Sequence, residues 1–252
     1  MLYGLYLSAN GLALNQYRQD VIANNLANAD TPGFKRSDAV FKQRLQESKA
    51  SLAGARFAPE NLRASTGGAF ASQSFVDFSQ GSIRPTSEPL DISLNGPGML
   101  TVRDGGQTTY SRDGRLTVAG GKLVRITDAK PVLGDDGHEI DVGSASPREL
   151  RIDTDGNIWR GPVQLGQIGI VEFAGDRQDM LTPAGGNLYR STAQPEAAKK
   201  TSVVSQAVEQ SGVNPANELV EMIKSSRHFE LNAQMISMQD ASLGRLIDLA
   251  RV

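Results

Sequence analysis

The sequence predicts a mixed α and β chain: N- and C-terminal helices paired in a coiled-coil-like bundle, with an all-β domain inserted between them. Three observations predict it. The last segment carries a heptad repeat, the first carries a helical amphipathic pattern, and the glycines crowd between the two. Of 26 Gly, 17 fall between residues 95 and 190, among short β-like runs.

Residues 1–28 predict a helix. Leu5, Ala9, Leu12, Ala23 and Leu26 fall near one face, Ile22 widens it, and Asn15, Arg18 and Asp20 stay polar. Gly4 and Gly11 weaken the first turns, each by about 1 kcal/mol relative to Ala. Asp30-Thr-Pro-Gly33 is a stop, since Pro32 disfavours helix at Thr31 and Gly33 permits a turn. Asn24, Asn25 and Asn28 sit near this end. They read as helix-flank and C-terminal positions, and a buried Asn among them would fix register.

Residues 214–251 give the clearest pattern. Met222, Phe229, Ile236, Leu243 and Ala250 recur every seven residues, and Leu219, Ser226, Ala233, Asp240 and Ile247 form a second row. The rows alternate at spacings of three and four, as in a helix packed lengthwise on others. Asn214 suits an N-cap and Pro215 the first helical position, and Gly244 alone interrupts the run.

Between the helices, β-like runs alternate with turn dipeptides. The runs are Leu90–Leu94, Met99–Val102, Thr108–Tyr110, Leu116–Val118, Leu123–Ile126, Glu139–Val142, Glu149–Ile152, Asn157–Trp159, Val163–Phe173 and Asn187–Tyr189. Asp104-Gly105, Asp113-Gly114, Gly120-Gly121, Asp136-Gly137 and Asp155-Gly156 mark hairpin corners. The boundaries are an N-terminal helix with its stop at 1–36, an extended connector at 37–84, the β domain at 85–190, a second connector at 191–213, and the heptad helix at 214–252. Short strands are expected near Phe75–Phe78 and Val203-Val204.

Composition excludes several functions. With 26 Lys+Arg against 28 Asp+Glu and a net charge of −2, a general nucleic-acid or acidic-membrane binder is disfavoured. Zero Cys removes disulfides, thiolate metal sites and cysteine nucleophiles. His138 and His228 are too few and too far apart for a His-rich metal site. No apolar run reaches the ~18–20 residues that span a bilayer, and the first residues lack the basic region and cleavage site of a signal peptide. The P-loop, zincin and nucleophile-elbow motifs are absent from the sequence. Asp153-Thr-Asp155-Gly156-Asn157 fails as a calcium loop, because Ile158 and Gln164 stand where Gly and Glu are needed. Gly96-Pro-Gly98 reads as a turn, since no helix follows it. Trp159 and Tyr189 read as β-core residues ahead of ligand platforms. No catalytic residue, cofactor or metal is expected, and the chain reads as a non-enzyme.

Each terminal helix has one apolar stripe and no partner in its own segment. Pairing the two leaves apolar surface exposed, and an isolated helical hairpin is marginal in water. Helices from other copies or relatives would complete the core, and a repeated contact that does not close gives a helical filament. The competing reading is a carbohydrate-binding or adhesin-like β module with helical tails.

Specific motifs then point to a family. Asp20-Val-Ile-Ala-Asn-Asn-Leu-Ala-Asn28 leading into Asp30-Thr-Pro-Gly-Phe-Lys-Arg36 resembles the N-terminal signature of bacterial flagellar basal-body rod and hook proteins. Leu90–Met99, Tyr110-Ser-Arg-Asp-Gly114 and Gly186-Asn-Leu-Tyr189 resemble successive parts of their β domain. Ser211-Gly-Val-Asn214, Glu218–Ile223 and Arg227-His-Phe-Glu230 resemble their C-terminal helix signature. The resemblance implies a structural subunit of the axial rod, a hollow shaft that crosses the periplasm, transmits torque and passes exported subunits. It implies export by the flagellar type III apparatus without a cleaved signal. The implied partners are copies of itself, other rod proteins, hook protein and ring components. The motif Ala29–Phe34 favours the proximal rod form, with the distal form as the alternative. The candidate assembly residues are Leu5, Leu12, Leu26, Asn24, Asn25, Phe34, Leu219, Met222, Phe229, Ile236, Leu243 and Ile247.

Overall fold

The structure, a computed structural model, describes residues 2–43, 68–72, 74–173 and 181–250. The connector between the N-terminal helix and the β domain therefore lies partly outside the described residues, at 44–67. The fold is mixed α and β, with a helix at each end and strands between. The chain divides into two units. One comprises Met1–Ala27, Ser37–Phe75 and Pro215–Val252, and the other Asn28–Arg36 with Val76–Asn214.

The first unit is built on helices α1 (Leu2–Ala27) and α2 (Pro215–Ala250). They run side by side and antiparallel. Space beside Gly4 is filled by Gln239 and space beside Gly11 by Asn232, Ser225 Oγ donates to Asn15 O at 3.3 Å, and Asn25 meets Glu218. Partner numbers fall as those of α1 rise. A short antiparallel pair, Phe41–Gln43 with Ala69–Ala71, packs on α1. Tyr17 meets Phe41 edge-on at 6.3 Å, Arg18 lies 5.6 Å from the same ring, and Asn10 Oδ1 accepts from Ala69 N.

The second unit is the β domain. Its largest sheet has six strands in the order Leu181–Gly185, Leu188–Ser191, Gln107–Ser111, Met99–Asp104, Ile170–Glu172, Glu196–Ala197. Every registered pair in it is antiparallel. A three-stranded sheet runs Leu150–Ile152, Asn157–Arg160, Val163–Gln167. Two-residue corners join strands at Gly105-Gly106, Gly120-Gly121 and Gly186-Asn187, all at positive φ, as hairpins of matching twist require.

The predicted β runs mostly become strands, and the exceptions are informative. Glu139–Val142 forms only isolated bridges, to Leu133 and Lys122. Val163–Phe173 is broken at Ile168-Gly169, where a Cβ on Gly169 would lie 2.5 Å from Thr101 Oγ1. Asp113-Gly114 is not a hairpin: Gln107–Ser111 and Leu116–Ala119 pair with other strands. The glycine there instead lets Ile92 N reach Gly114 O at 2.9 Å. The residues expected to be connectors supply strands Ile83–Pro85, Ser202–Ser205 and Ala207–Glu209, which pair within this unit.

Two apolar clusters hold the β domain. The larger includes Leu90, Ile92, Leu100, Leu123, Ile152, Ile158 and Val203, and the smaller Met99, Tyr110, Phe173, Leu181 and Tyr189. Each such aliphatic side chain contributes about 1.5–3 kcal/mol on burial. Tyr110 on Phe173 and Phe78 on Tyr189 add edge-to-face contacts at 4.9 and 5.2 Å.

Candidate assembly site

One of the two predicted rows of α2 adjoins the residues that meet α1. Met222, Ile236 and Leu243 are half-buried and Phe229 is 37 % exposed. The row beside them on the α1 side is Glu218, Ser225, Asn232 and Gln239, which supplies the contacts described above. The second predicted row lies on the other flank: Leu219 is 48 % and Ile247 57 % exposed, and Ser226 and Ala233 between them are half-buried. The pattern of sevens repeats on α1, where Gly4, Gly11 and Asn25 face that polar row. Glycine lets the backbone approach closely, so amide side chains of α2 occupy space that an apolar side chain would otherwise fill.

Leu5, Leu12 and Leu26 are half-buried on the neighbouring face of α1. Asn24 is exposed and Asn25 fully buried. The Asn25 amide satisfies both backbone groups of Ser37: Nδ2 donates to Ser37 O at 2.8 Å and Oδ1 accepts from Ser37 N at 3.0 Å. Nδ2 also approaches Glu218 Oε2 at 3.5 Å.

Within the β domain, the separate sequence motifs converge. Gly33, at φ +68°, lies against the Arg112-Asp113 peptide, where a Cβ would be 2.6 Å from Asp113 N. Gly33 N donates to Glu209 O at 2.8 Å, and Phe34 O, half-buried, accepts from Gly212 N at 2.9 Å. Asn187 Nδ2 donates to Pro32 O at 3.0 Å. Residues from 31–36, 111–113, 187–189 and 209–212 thus meet in one place.

A buried ionic cluster sits there. Glu209 Oε1 accepts from Lys35 Nζ at 2.6 Å and from Gly81 N at 2.8 Å, while its Oε2 lies 3.3 Å from Arg112 Nη1. Lys35 also donates to Ser79 O, and Arg112 to Gly96 O. Burial pulls the Lys35 ammonium and the Arg112 guanidinium below their ordinary values, with Glu209 opposing in both. Burial pushes the Tyr189 phenol up to about 12. Lys35 and Arg112 fall inside the sequence motifs and Glu209 outside them, and none is a candidate site residue from sequence, because a single Lys, Arg or Glu carries no signal of burial.

A second charged group supports the 113–127 region. Asp113 is fully buried and accepts from Arg115 Nη2 at 2.8 Å and Thr127 Oγ1 at 2.7 Å. Arg125, also fully buried, donates to Ser111 Oγ and Gly186 O. Trp159 is half-buried, and its indole N–H donates to Asp153 Oδ2 at 2.9 Å. The same carboxylate takes the backbone N–H groups of Asp155 and Asn157, so the rejected calcium loop is an Asp-capped hairpin. His138 and His228 are exposed. Among the described residues no His/Asp/Glu group is placed to hold a metal, and no helix is long and apolar enough to cross a membrane.

The two ends of the chain match known families. Residues 5–35 match the family described as flagella basal body rod protein, and residues 204–249 the family described as flagellar basal body rod FlgEFG protein C-terminal. The flagellar basal-body rod protein FlgG of Buchnera aphidicola subsp. Acyrthosiphon pisum is 33 % identical over 99 % of this chain and 100 % of its own length. The chain belongs to the flagellar basal-body rod protein family. FlgG of Bacillus subtilis is 31 % identical over the whole of both chains. FlgF of Caulobacter vibrioides is 30 % identical over 86 % of this chain and 85 % of its own. The rod family is structural, and its members belong to the flagellar basal body. Both family matches fall mainly on the residues that form α1, the 31–35 segment, the 207–212 segment and α2.

Proposed function

We propose that this rod subunit polymerises helically through α1 and α2, which join the helices of neighbouring copies and related rod or hook proteins in a coiled-coil-like tube. The tube is the hollow drive shaft that transmits torque and passes exported subunits. One observation carries the reading: the distribution of buried apolar side chains. Among the described residues, Ile22 is the sole buried hydrophobic residue of the helical unit, whereas the β domain holds two clusters. Meanwhile α2 exposes Leu219, Val220, Ile223, Leu231, Met235 and Met238. Monomeric proteins rarely leave so much apolar surface uncovered without a partner for it. Lengthwise helices spread load over many small dispersion contacts, which suits a shaft under torsion.

The subtype is read as FlgG-like, because proteins of that name match from end to end. The rod lies across the periplasm, and the subunit reaches it through the flagellar type III apparatus. The residues carrying assembly are Leu5, Leu12, Leu26, Asn25, Phe34, Met222, Phe229, Ile236 and Leu243, with Asn24, Leu219 and Ile247 facing neighbours. Phe229→Asp is expected to abolish swimming and rod formation while the β domain melts as in wild type. Normal basal bodies and normal swimming in that variant would overturn the assignment.

A further inference from the structure

We propose that the buried Lys35–Glu209–Arg112 cluster is a staple that fixes, side by side within the β domain, the two segments by which the chain enters and leaves that unit. The chain enters this unit from α1 at Asn28 and leaves it for α2 at Asn214. The entering segment, 28–36, forms no strand, so no sheet ladder sets its position. Its place is set by Gly33 N on Glu209 O, Gly212 N on Phe34 O, Asp77 N on Arg36 O, and the Lys35 ammonium between Ser79 O and Glu209 Oε1.

Glu209 is the hub. One oxygen serves the incoming segment through Lys35 and the edge near Gly81, and the other holds Arg112 of the central hairpin. All three side chains are almost wholly shielded from solvent. Burying two cations with one anion is a poor route to stability, because an apolar group of the same volume does as well or better. What the charges add is direction: the acceptors of each cation stand at fixed places, and any displaced path leaves a buried charge unmet. A shaft subunit needs that property where its chain enters and leaves the β domain. The staple deepens the reading of the chain as a rod subunit and rests on it only for the swimming readout.

The chain has no Cys, so spin labels can be placed cleanly at Asp30→Cys and Gln210→Cys. In the dilute full-length chain, the label distance is expected to be single and narrow. Lys35→Met removes the incoming cation but leaves the Arg112–Glu209 pair, and it is expected to broaden the distribution at least about twofold as the segment samples open states. Asp153→Ala, which loosens a different hairpin of the same unit, is expected to leave the distribution narrow. In cells, Lys35→Met is expected to cut swimming in viscous medium more than in dilute medium. An unchanged distance in Lys35→Met overturns the staple, as does equal broadening in Asp153→Ala. Broadened labels with normal swimming under load overturn its mechanical role, whereas failure of the rod reading itself would show in Phe229→Asp.

A measurement on the unmodified chain stands even if Lys35→Met fails to fold. The Gly33, Gly81 and Gly212 amides are expected to exchange within about tenfold of the Thr101 amide in the main sheet. Exchange of those three at open-loop rates would overturn the staple.

Discussion

Gly33→Ala separates two costs that a glycine can hide. Gly33 sits at φ +68°, a region that costs an L-residue about 1–2 kcal/mol. A Cβ there would also lie 2.6 Å from Asp113 N and closer still to the Arg112 carbonyl. The obstacle is backbone held by the central hairpin, so it cannot swing aside, and overpacking of this kind costs about 1–3 kcal/mol. The sum is about 2–5 kcal/mol, a large share of the ~5–15 kcal/mol that holds a domain together. Two other glycines isolate the parts. Gly105 has φ +54° with nothing within 4 Å of a Cβ, so Gly105→Ala meets the conformational cost alone. A Cβ on Gly114 would lie 2.9 Å from Ile92 C and nearer its O, without a positive φ, so Gly114→Ala meets the contact alone. The assay is thermal unfolding of the dilute chain followed by its single Trp, which lies in the β domain. At about 2–4 °C per kcal/mol, Gly33→Ala lowers the midpoint by about 4–20 °C and Gly105→Ala by about 2–8 °C. Equal shifts in Gly33→Ala and Gly105→Ala would refute the claim that the signature loop is packed against Arg112.

The remaining predictions concern single polar groups. Burial raises the Asp113 carboxyl, but bonds from Arg115 and Thr127 outweigh it and hold the group below its usual value. Its stabilising contribution is therefore complete above pH ~4 and is lost as pH falls through the depressed folded value. Asp113→Asn is expected to lower the denaturant midpoint at pH 7 by the equivalent of about 1–3 kcal/mol. It should also flatten the acid limb, leaving the falls due to Asp153, Glu172, Asp104 and Glu139, which are depressed likewise. A midpoint curve parallel to wild type from pH 7 to pH 2 would contradict this. Asp153→Ala frees the Trp159 indole N–H and two backbone N–H groups. It should cost about 1–3 kcal/mol and shift the single tryptophan emission to the red; unchanged emission would show that the bond is not formed. Asn25→Ala leaves both Ser37 backbone groups unmet, for a loss of about 1–3 kcal/mol. Asn25→Asp is expected to be worse, since it sets a second carboxylate against Glu218. Swimming assays with strains carrying each variant rank the two.

Both terminal helices were readable because each obeys a period that local physics enforces. The N-terminal stop at Asp30–Gly33 and the start at Pro215 are chemistry of single residues, and the helices run Leu2–Ala27 and Pro215–Ala250 as that chemistry directs. Hairpin corners such as Gly120-Gly121 were readable for the same reason, since positive φ selects glycine locally. Asp113-Gly114 misled because the same dipeptide can answer a non-local demand. Its glycine makes room for Ile92, some twenty residues earlier, and the sequence does not mark which demand applies. The strands Ala207–Glu209 and Ile83–Pro85 were hidden by their length of three residues, too short for a period, and their pairing is set by partners far along the chain. The Lys35–Glu209 contact spans 174 positions, and nothing near either residue announces it.

The helical seam shows why a heptad alone does not name its partner. The row Met222, Phe229, Ile236 and Leu243 was legible as apolar, and it lies beside α1. Its companion row within the chain is polar, and the glycines of α1 that look like helix weakeners are the positions that admit the companion's amides. A single helix can cover only part of the circumference of α2, and α1 covers the part where α2 is least apolar. Leu219, Ile223, Leu231 and Met238 are left outward on a helix of 36 residues. A sequence selected for a two-helix hairpin would put those side chains on the seam and the amides in water. The reverse arrangement is economical only when further helices supply the apolar contacts, since the intrachain pair then needs to set register and leave the dispersion energy to its neighbours. The polar seam and the apolar exterior are thus one design, and it is the design that the proposed completion of the helical core by other subunits requires.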